Sequence, residues 1–163
     1  MTYPAEGTLA PDFTLDTDAG TPLTLSALRG RPVVLFFYPK DDTPGCTIES
    51  CEFRDLMPRF QGVSAEVLGI SADDVKSHVK FRKKFDLPYP LLADVDHAVA
   101  DAYGVWQQKS MFGHKYWGNA RTTFVIDRDG RIAKVFEKVT PLGHAAEVAQ
   151  AVAALPLVPG GAH

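Results

Sequence analysis

Val33-Val34-Leu35-Phe36-Phe37-Tyr38-Pro39-Lys40-Asp41-Asp42-Thr43-Pro44-Gly45-Cys46-Thr47-Ile48-Glu49-Ser50-Cys51-Glu52-Phe53 is the stretch whose reading settles the architecture. Val33 to Tyr38 has no polar face, which predicts a central strand of parallel type, covered on both sides. Pro39 ends that strand, because proline has no N–H for the ladder. Thr43 reads as a helix N-cap and Pro44 as the first helical residue, where a missing N–H costs nothing. Gly45 and Cys46 then fall in the first turn, among unpaired backbone N–H groups at the positive end of the helix dipole. A buried strand feeding a helix through a short polar loop is an α/β unit, and open α/β sheets bind ligands at that edge.

Working outward, Phe13-Thr14-Leu15 and Leu23-Thr24-Leu25 read as short strands, and Ser26-Ala27-Leu28 as a turn of helix. Phe53, Leu56, Met57 and Phe60 share one face of the helix after the loop, and Pro58 should kink or shorten it. Val67-Leu68-Gly69-Ile70 is a second buried strand. Asp73 or Asp74 caps a helix running towards Phe85, and Leu91-Leu92-Ala93 is a brief strand. A helix is predicted from Asp96 to Gly104, then a long loop from Val105 to Asn119 without periodicity. Thr123–Ile126 and Ile132–Phe136 flank an Asp-Gly turn and predict a hairpin, and Leu142 to Leu155 a closing helix. This order predicts an α/β three-layer sandwich with a central mixed β-sheet, one domain over residues 1–155, and a flexible tail over 156–163.

The 163 residues carry a net charge of −3, with 45% apolar and 23% charged side chains, so a globular domain is expected and a polyanion binder is not. Neither nucleic acid nor a membrane is an expected partner. The first residues show no basic region leading into an apolar stretch, so no secretory signal is predicted. Two cysteines five positions apart are no framework for a secreted fold, and the expected location is the cytoplasm, where both stay reduced. Such a pair in that compartment is reactive rather than structural. Inert buried cysteines remain the competing reading.

Cys46 is the candidate nucleophile, since a first-turn position favours the thiolate over the thiol. Attack on a peroxide spreads negative charge along S–O–O, and the N–H groups of Gly45 and Cys46 and the Thr43 hydroxyl are the local donors for it. Capping and substrate roles compete for that hydroxyl. In an intact helix Cys46 and Cys51 have Cα atoms about 8–9 Å apart and point about 140° from each other, whereas a disulfide needs Cα atoms within about 7 Å. They can bond only if the first turns unwind.

Pro39, Thr43 and Cys46 match the pattern Pro-x-x-x-Thr-x-x-Cys, and Gly45-Cys46-Thr47-x-Glu49-x-Cys51-x-Phe53 continues it. Tyr103-Gly104-Val105-Trp106 and Arg121-Thr122-Thr123-Phe124-Val125-Ile126-Asp127 come later in the same order. With these motifs the chain resembles the peroxiredoxin family, in its bacterioferritin comigratory protein or peroxiredoxin Q branch, over nearly its whole length. The resemblance implies a thioredoxin-like fold and no cofactor or metal. It makes Cys46 the peroxidatic thiol and Cys51 the resolving thiol of an intramolecular disulfide, reduced by a thioredoxin- or glutaredoxin-type donor. Pro39, Thr43, Gly45, Cys46 and Arg121 would line the peroxide site, with Glu49 orienting Arg121, in a monomer. Asn119, at a position usually apolar, and Pro58 depart from the pattern.

Two other functions are open to the residues. A general disulfide reductase uses Cys-x-x-Cys, and here four residues intervene. A copper-delivery protein could use Cys46 and Cys51, since soft thiolates suit Cu(I). Lys109, His114 and Lys115 read as a solvated loop face. His78, His97, His144 and His163 lack metal-ligand spacing to the cysteines and are expected at the surface.

Overall fold

The computed structural model describes residues 3–156. Strands β1 (Thr14–Thr17), β2 (Pro22–Thr24), β3 (Val33–Phe37), β4 (Glu66–Ser71), β5 (Leu91–Ala93), β8 (Thr122–Ile126) and β9 (Ile132–Phe136) form one sheet in the order β2-β1-β5-β4-β3-β8-β9. The central pairs β3–β4 and β4–β5 are parallel, while β8 runs antiparallel to β3. The sheet is therefore mixed, and the fold is thioredoxin-like. Every residue of β3 is buried, as expected of a run with no polar face.

Two apolar cores form because successive side chains of a strand point to opposite faces. Val34, Phe36 and Tyr38 pack under α1 (Pro44–Asp55), α2 (Met57–Gln61), α3 (Val75–Phe85) and α5 (His144–Ala153). Val33, Leu35 and Phe37 pack on the other side under α4 (Ala98–Ala102) and a 3-10 turn over Leu25–Leu28. Phe53 anchors α1, stacking on Phe36 at 4.6 Å between ring centroids and touching Phe60 and His144. Burying such a ring contributes about 1.5–3 kcal/mol. Gly69 gives Phe36 its room, because a Cβ there would lie 3.0 Å from the ring.

Pro58 splits the predicted helix: α1 stops at Asp55, and α2 begins at Met57 with proline in its first turn. The helix expected from Asp96 begins at Ala98, where the buried Asp94 carboxylate accepts from the N–H groups of Val99 and Ala100. A larger correction concerns the predicted loop from Val105 to Asn119. It is a hairpin, β6 (Trp106–Met111) and β7 (His114–Asn119), turning at Phe112 and Gly113, both with positive φ. That two-residue turn is the form hairpins prefer. Alternation failed to show because the ribbon buries little of either face; Phe112 is 94% exposed and Trp117 57%.

His78 and His144, expected at the surface, are buried, each with both ring nitrogens hydrogen-bonded, while His97 stacks on Trp106. His163 and most of the tail predicted over 156–163 lie outside the described residues. Among the described residues no helix is long and apolar enough to cross a membrane.

Candidate active site

The loop after β3 delivers the chain into α1, whose first backbone bond runs from the N–H of Thr47 to the carbonyl of Thr43 at 2.8 Å. The N–H groups of Gly45 and Cys46 precede that bond, so α-helical geometry supplies them no acceptor. Thr43 occupies the cap position, but its hydroxyl makes no cap bond; it donates to the Lys40 carbonyl at 2.9 Å. The hydroxyl oxygen thus keeps its acceptor capacity beside the helix start. Pro39, half-buried, begins the same loop.

Because β8 runs antiparallel to β3 and Phe37 pairs with Thr122, the residue before β8 lies beside the loop that leaves β3. That residue is Arg121. Its Nη2 donates to Cys46 Sγ at 3.3 Å, and its Nη1 donates to Glu49 Oε1 at 2.8 Å. Gly45 permits the approach, since a Cβ there would sit 3.1 Å from Nη2. The side chain of Cys46 is buried and Cys51, one and a half turns on, is half-buried; both are free thiols on an unbroken helix. Burial pushes the Cys51 thiol above its ordinary range, opposed by Arg54.

Glu49 has no exposed surface and is an ion-pair partner rather than a helix-end acid. Its second oxygen, Oε2, has no hydrogen-bond partner and lies 4.0 Å from His144 Nε2. His144 donates or accepts at 2.7 Å with both Thr123 and Glu147, and burial holds its pKa below the ordinary value. Burial likewise pushes Glu49 up from 4.5 to about 7, against the pull of Arg121. Between those values the unfolded chain sheds a proton that the folded chain keeps, so this group's contribution to stability falls as pH rises. The difference in unfolding free energy between wild type and Glu49→Gln is expected to change by ~3 kcal/mol between pH 4.5 and 7.5 in urea titrations. A difference independent of pH would count against this account.

The structure brings Pro39, Thr43, Gly45, Cys46, Glu49 and Arg121 to one end of the sheet, with Cys51 further along the same helix. Lys109, read from sequence as solvated, is half-buried on β6 within electrostatic reach of Arg121 and Cys46. Asn119 is buried and donates to the Tyr38 carbonyl at 3.2 Å, which ties β7 to the end of β3. Neither contact had a signal in the sequence, because each depends on a hairpin that the pattern did not reveal.

The AhpC/TSA family pattern matches residues 7–135. The chain belongs to the peroxiredoxin family. This peroxiredoxin is 52% identical to a putative peroxiredoxin bcp of Coxiella burnetii, over 87% of this chain and 94% of that one. It is 45% identical to the peroxiredoxin Bcp of Bacillus subtilis, over 88% and 92%. Among solved structures it is similar to the bacterioferritin comigratory protein of Xanthomonas campestris, studied for alkyl peroxide reduction, with a TM-score of 0.86 and 38% identity over 92% of this chain and 98% of that one. The peroxidoxin BcpB of Mycobacterium tuberculosis gives 0.82 and 40%, over 93% and 97%.

Proposed function

We propose that this peroxiredoxin is a thiol-dependent peroxidase acting on hydrogen peroxide and small organic hydroperoxides through Cys46. The observation that carries the reading is the guanidinium of Arg121 held between Cys46 Sγ and Glu49, over a helix start whose first N–H groups have no acceptor within the helix. The Cys46 thiolate attacks the terminal peroxide oxygen; an S–O bond forms, the O–O bond breaks, and the alkoxide or hydroxide leaves with a proton from solvent. The donors already aimed at that region stabilise the charge as it spreads, at no cost in reorganisation. Cys46 is left as sulfenic acid. Cys51 then attacks the sulfenic sulfur, water leaves, and a Cys46–Cys51 disulfide closes. Two electrons from a thioredoxin- or glutaredoxin-type dithiol restore both thiols.

Both cysteines stand on one helix of one chain, which supports a monomer as the catalytic unit, and a sequence with two cysteines and no wider disulfide framework suits the reducing cytoplasm. Copper delivery finds less support, because the sulfur of Cys46 faces a guanidinium cation that repels a metal ion. The four-residue spacing likewise disfavours a general disulfide reductase. Mass spectrometry after one equivalent of peroxide tests the proposal. The expected product has lost two hydrogens and carries a Cys46–Cys51 link within one chain. Two unmodified cysteines, or a link between two chains, would overturn it.

Arg121→Lys is expected to slow peroxide attack about tenfold or more, although the charge is kept. Two different nitrogens of Arg121 serve Cys46 and Glu49, and a single ammonium cannot span both at those distances. The second-order rate of Cys46 with hydrogen peroxide checks this; an unchanged rate would reduce Arg121 to a structural ion pair.

A further inference from the structure

The loop that carries Lys40 to Thr43 is pinned from below by a buried polar cluster that the chemistry at Cys46 does not use. Asp41 projects into the protein with its side chain 4% exposed, while its neighbour Asp42 takes a left-handed conformation and faces solvent. Asp41 Oδ1 accepts from the Tyr38 hydroxyl at 2.6 Å. Asp41 Oδ2 accepts from the Ser77 hydroxyl at 2.8 Å and meets His78 Nδ1 at 2.7 Å. The backbone N–H of Asp41 donates to Asp73 Oδ2 at 2.8 Å. One residue of the loop is thereby fastened to the residue that follows β3, to α3 and to the turn before α3.

His78 is wholly buried, and its other nitrogen, Nε2, lies 2.9 Å from the Leu92 carbonyl of β5. A carbonyl oxygen only accepts, so Nε2 carries a hydrogen. Nδ1 faces a carboxylate oxygen that already accepts from Ser77, so a proton is shared there too. His78 and Asp41 therefore form a charge-assisted pair, and such bonds are stronger and shorter than neutral ones. One potential ligand atom from each of Asp41, Asp73 and His78 lies within 4.8 Å of the others, a spacing that could suit a cation. Protein donors already fill it: Asp73 Oδ2 also accepts from the Ser71 hydroxyl at 2.6 Å.

We propose that Asp41 and His78 are positioning residues for peroxide attack: His78, clamped between Asp41 and the Leu92 carbonyl, fixes the loop that sets Thr43 and the first-turn N–H groups around Cys46. This rests on the peroxidase reading above. Preorganised donors lose their advantage when displaced by as little as ~1 Å, with rate losses that reach a hundredfold. Asp41 is two residues before Thr43 and five before Cys46, so its release moves the donor cradle directly.

The bonding pattern supplies its own control. In Asp41→Asn the amide oxygen replaces Oδ1 and accepts from Tyr38. The amide nitrogen replaces Oδ2, and its two hydrogens reach Ser77 Oγ and the Nδ1 of a neutral His78. Geometry survives while the charge is removed. Asp41→Ala instead takes away the carboxylate that Tyr38, Ser77 and His78 all bond, and His78→Gln cannot span from Asp41 to Leu92 as the ring does.

The test compares two single-turnover rates of Cys46, with hydrogen peroxide and with iodoacetamide, each taken where alkylation has reached its pH plateau and Cys46 is fully ionised, in folded protein checked by circular dichroism. Alkylation needs the thiolate alone, whereas peroxide cleavage needs the surrounding donors as well. Asp41→Ala and His78→Gln are expected to slow peroxide attack about tenfold or more with alkylation within about twofold, and Asp41→Asn to stay within about threefold of wild type on both. If Asp41→Ala does not fold, His78→Gln carries the comparison. Wild-type peroxide rates in a folded Asp41→Ala or His78→Gln protein would overturn the inference. So would an equal fall in both rates, or an Asp41→Asn protein as slow as Asp41→Ala. Failure of wild-type Cys46 to react with peroxide at all would instead overturn the peroxidase reading.

Discussion

Cys46→Ser is expected to abolish peroxide turnover, with a loss on the order of a thousandfold or more, as for other covalent nucleophiles. An alcohol at neutral pH supplies almost no anion, and a hydroxyl beside Arg121 offers the guanidinium no charge to hold. The rest of the site should survive, because the substitution replaces one buried atom and leaves the Arg121–Glu49 pair in place. Peroxide consumption in the presence of a dithiol donor measures the effect. Turnover near the wild-type rate would remove Cys46 from the reaction.

Cys51→Ser should separate the two halves of the cycle. The first attack belongs to Cys46 and its donors, so one equivalent of peroxide is expected to disappear at about the wild-type rate. Steady turnover with a thioredoxin-type donor should then stall, with Cys46 held as sulfenic acid and open to further oxidation. Burial shifts the Cys51 thiol upward, towards its protonated form, which suits a group whose turn comes second. Unchanged steady turnover with the same donor would mean that some other thiol resolves the intermediate.

The strand, the loop and the first turn of α1 were legible because each rests on local chemistry: an apolar run, a proline stop, a threonine–proline helix start. Cys46 and Thr43 could be placed by counting from those signals. Arg121 could not, since its approach to Cys46 depends on β8 lying antiparallel beside β3; only the family resemblance pointed to it. Glu49 was readable as an acid near a helix start, but its complete burial was not. Asp41 and His78 lay hidden for the same reason, 37 residues apart and joined by one buried bond. The β6–β7 hairpin escaped because its strands lack a buried face to impose alternation.

Ser50 Oγ and Glu49 Oε2 are buried without a hydrogen-bond partner, and both sit between the two cysteines of α1. Each orphaned group costs about 1–3 kcal/mol, and water would satisfy either one once the turn opened. Closed, the segment is held by the Tyr89 hydroxyl on the Ser50 carbonyl and by Arg121 on Glu49. Just beyond, Phe53 stays stacked on Phe36, and the break at Leu56 separates α1 from α2. If the disulfide closes as proposed, the helix works as a latch with a built-in weakness: the turn that carries the nucleophile also carries the two orphaned groups, and the aromatic anchor marks where the opening would stop.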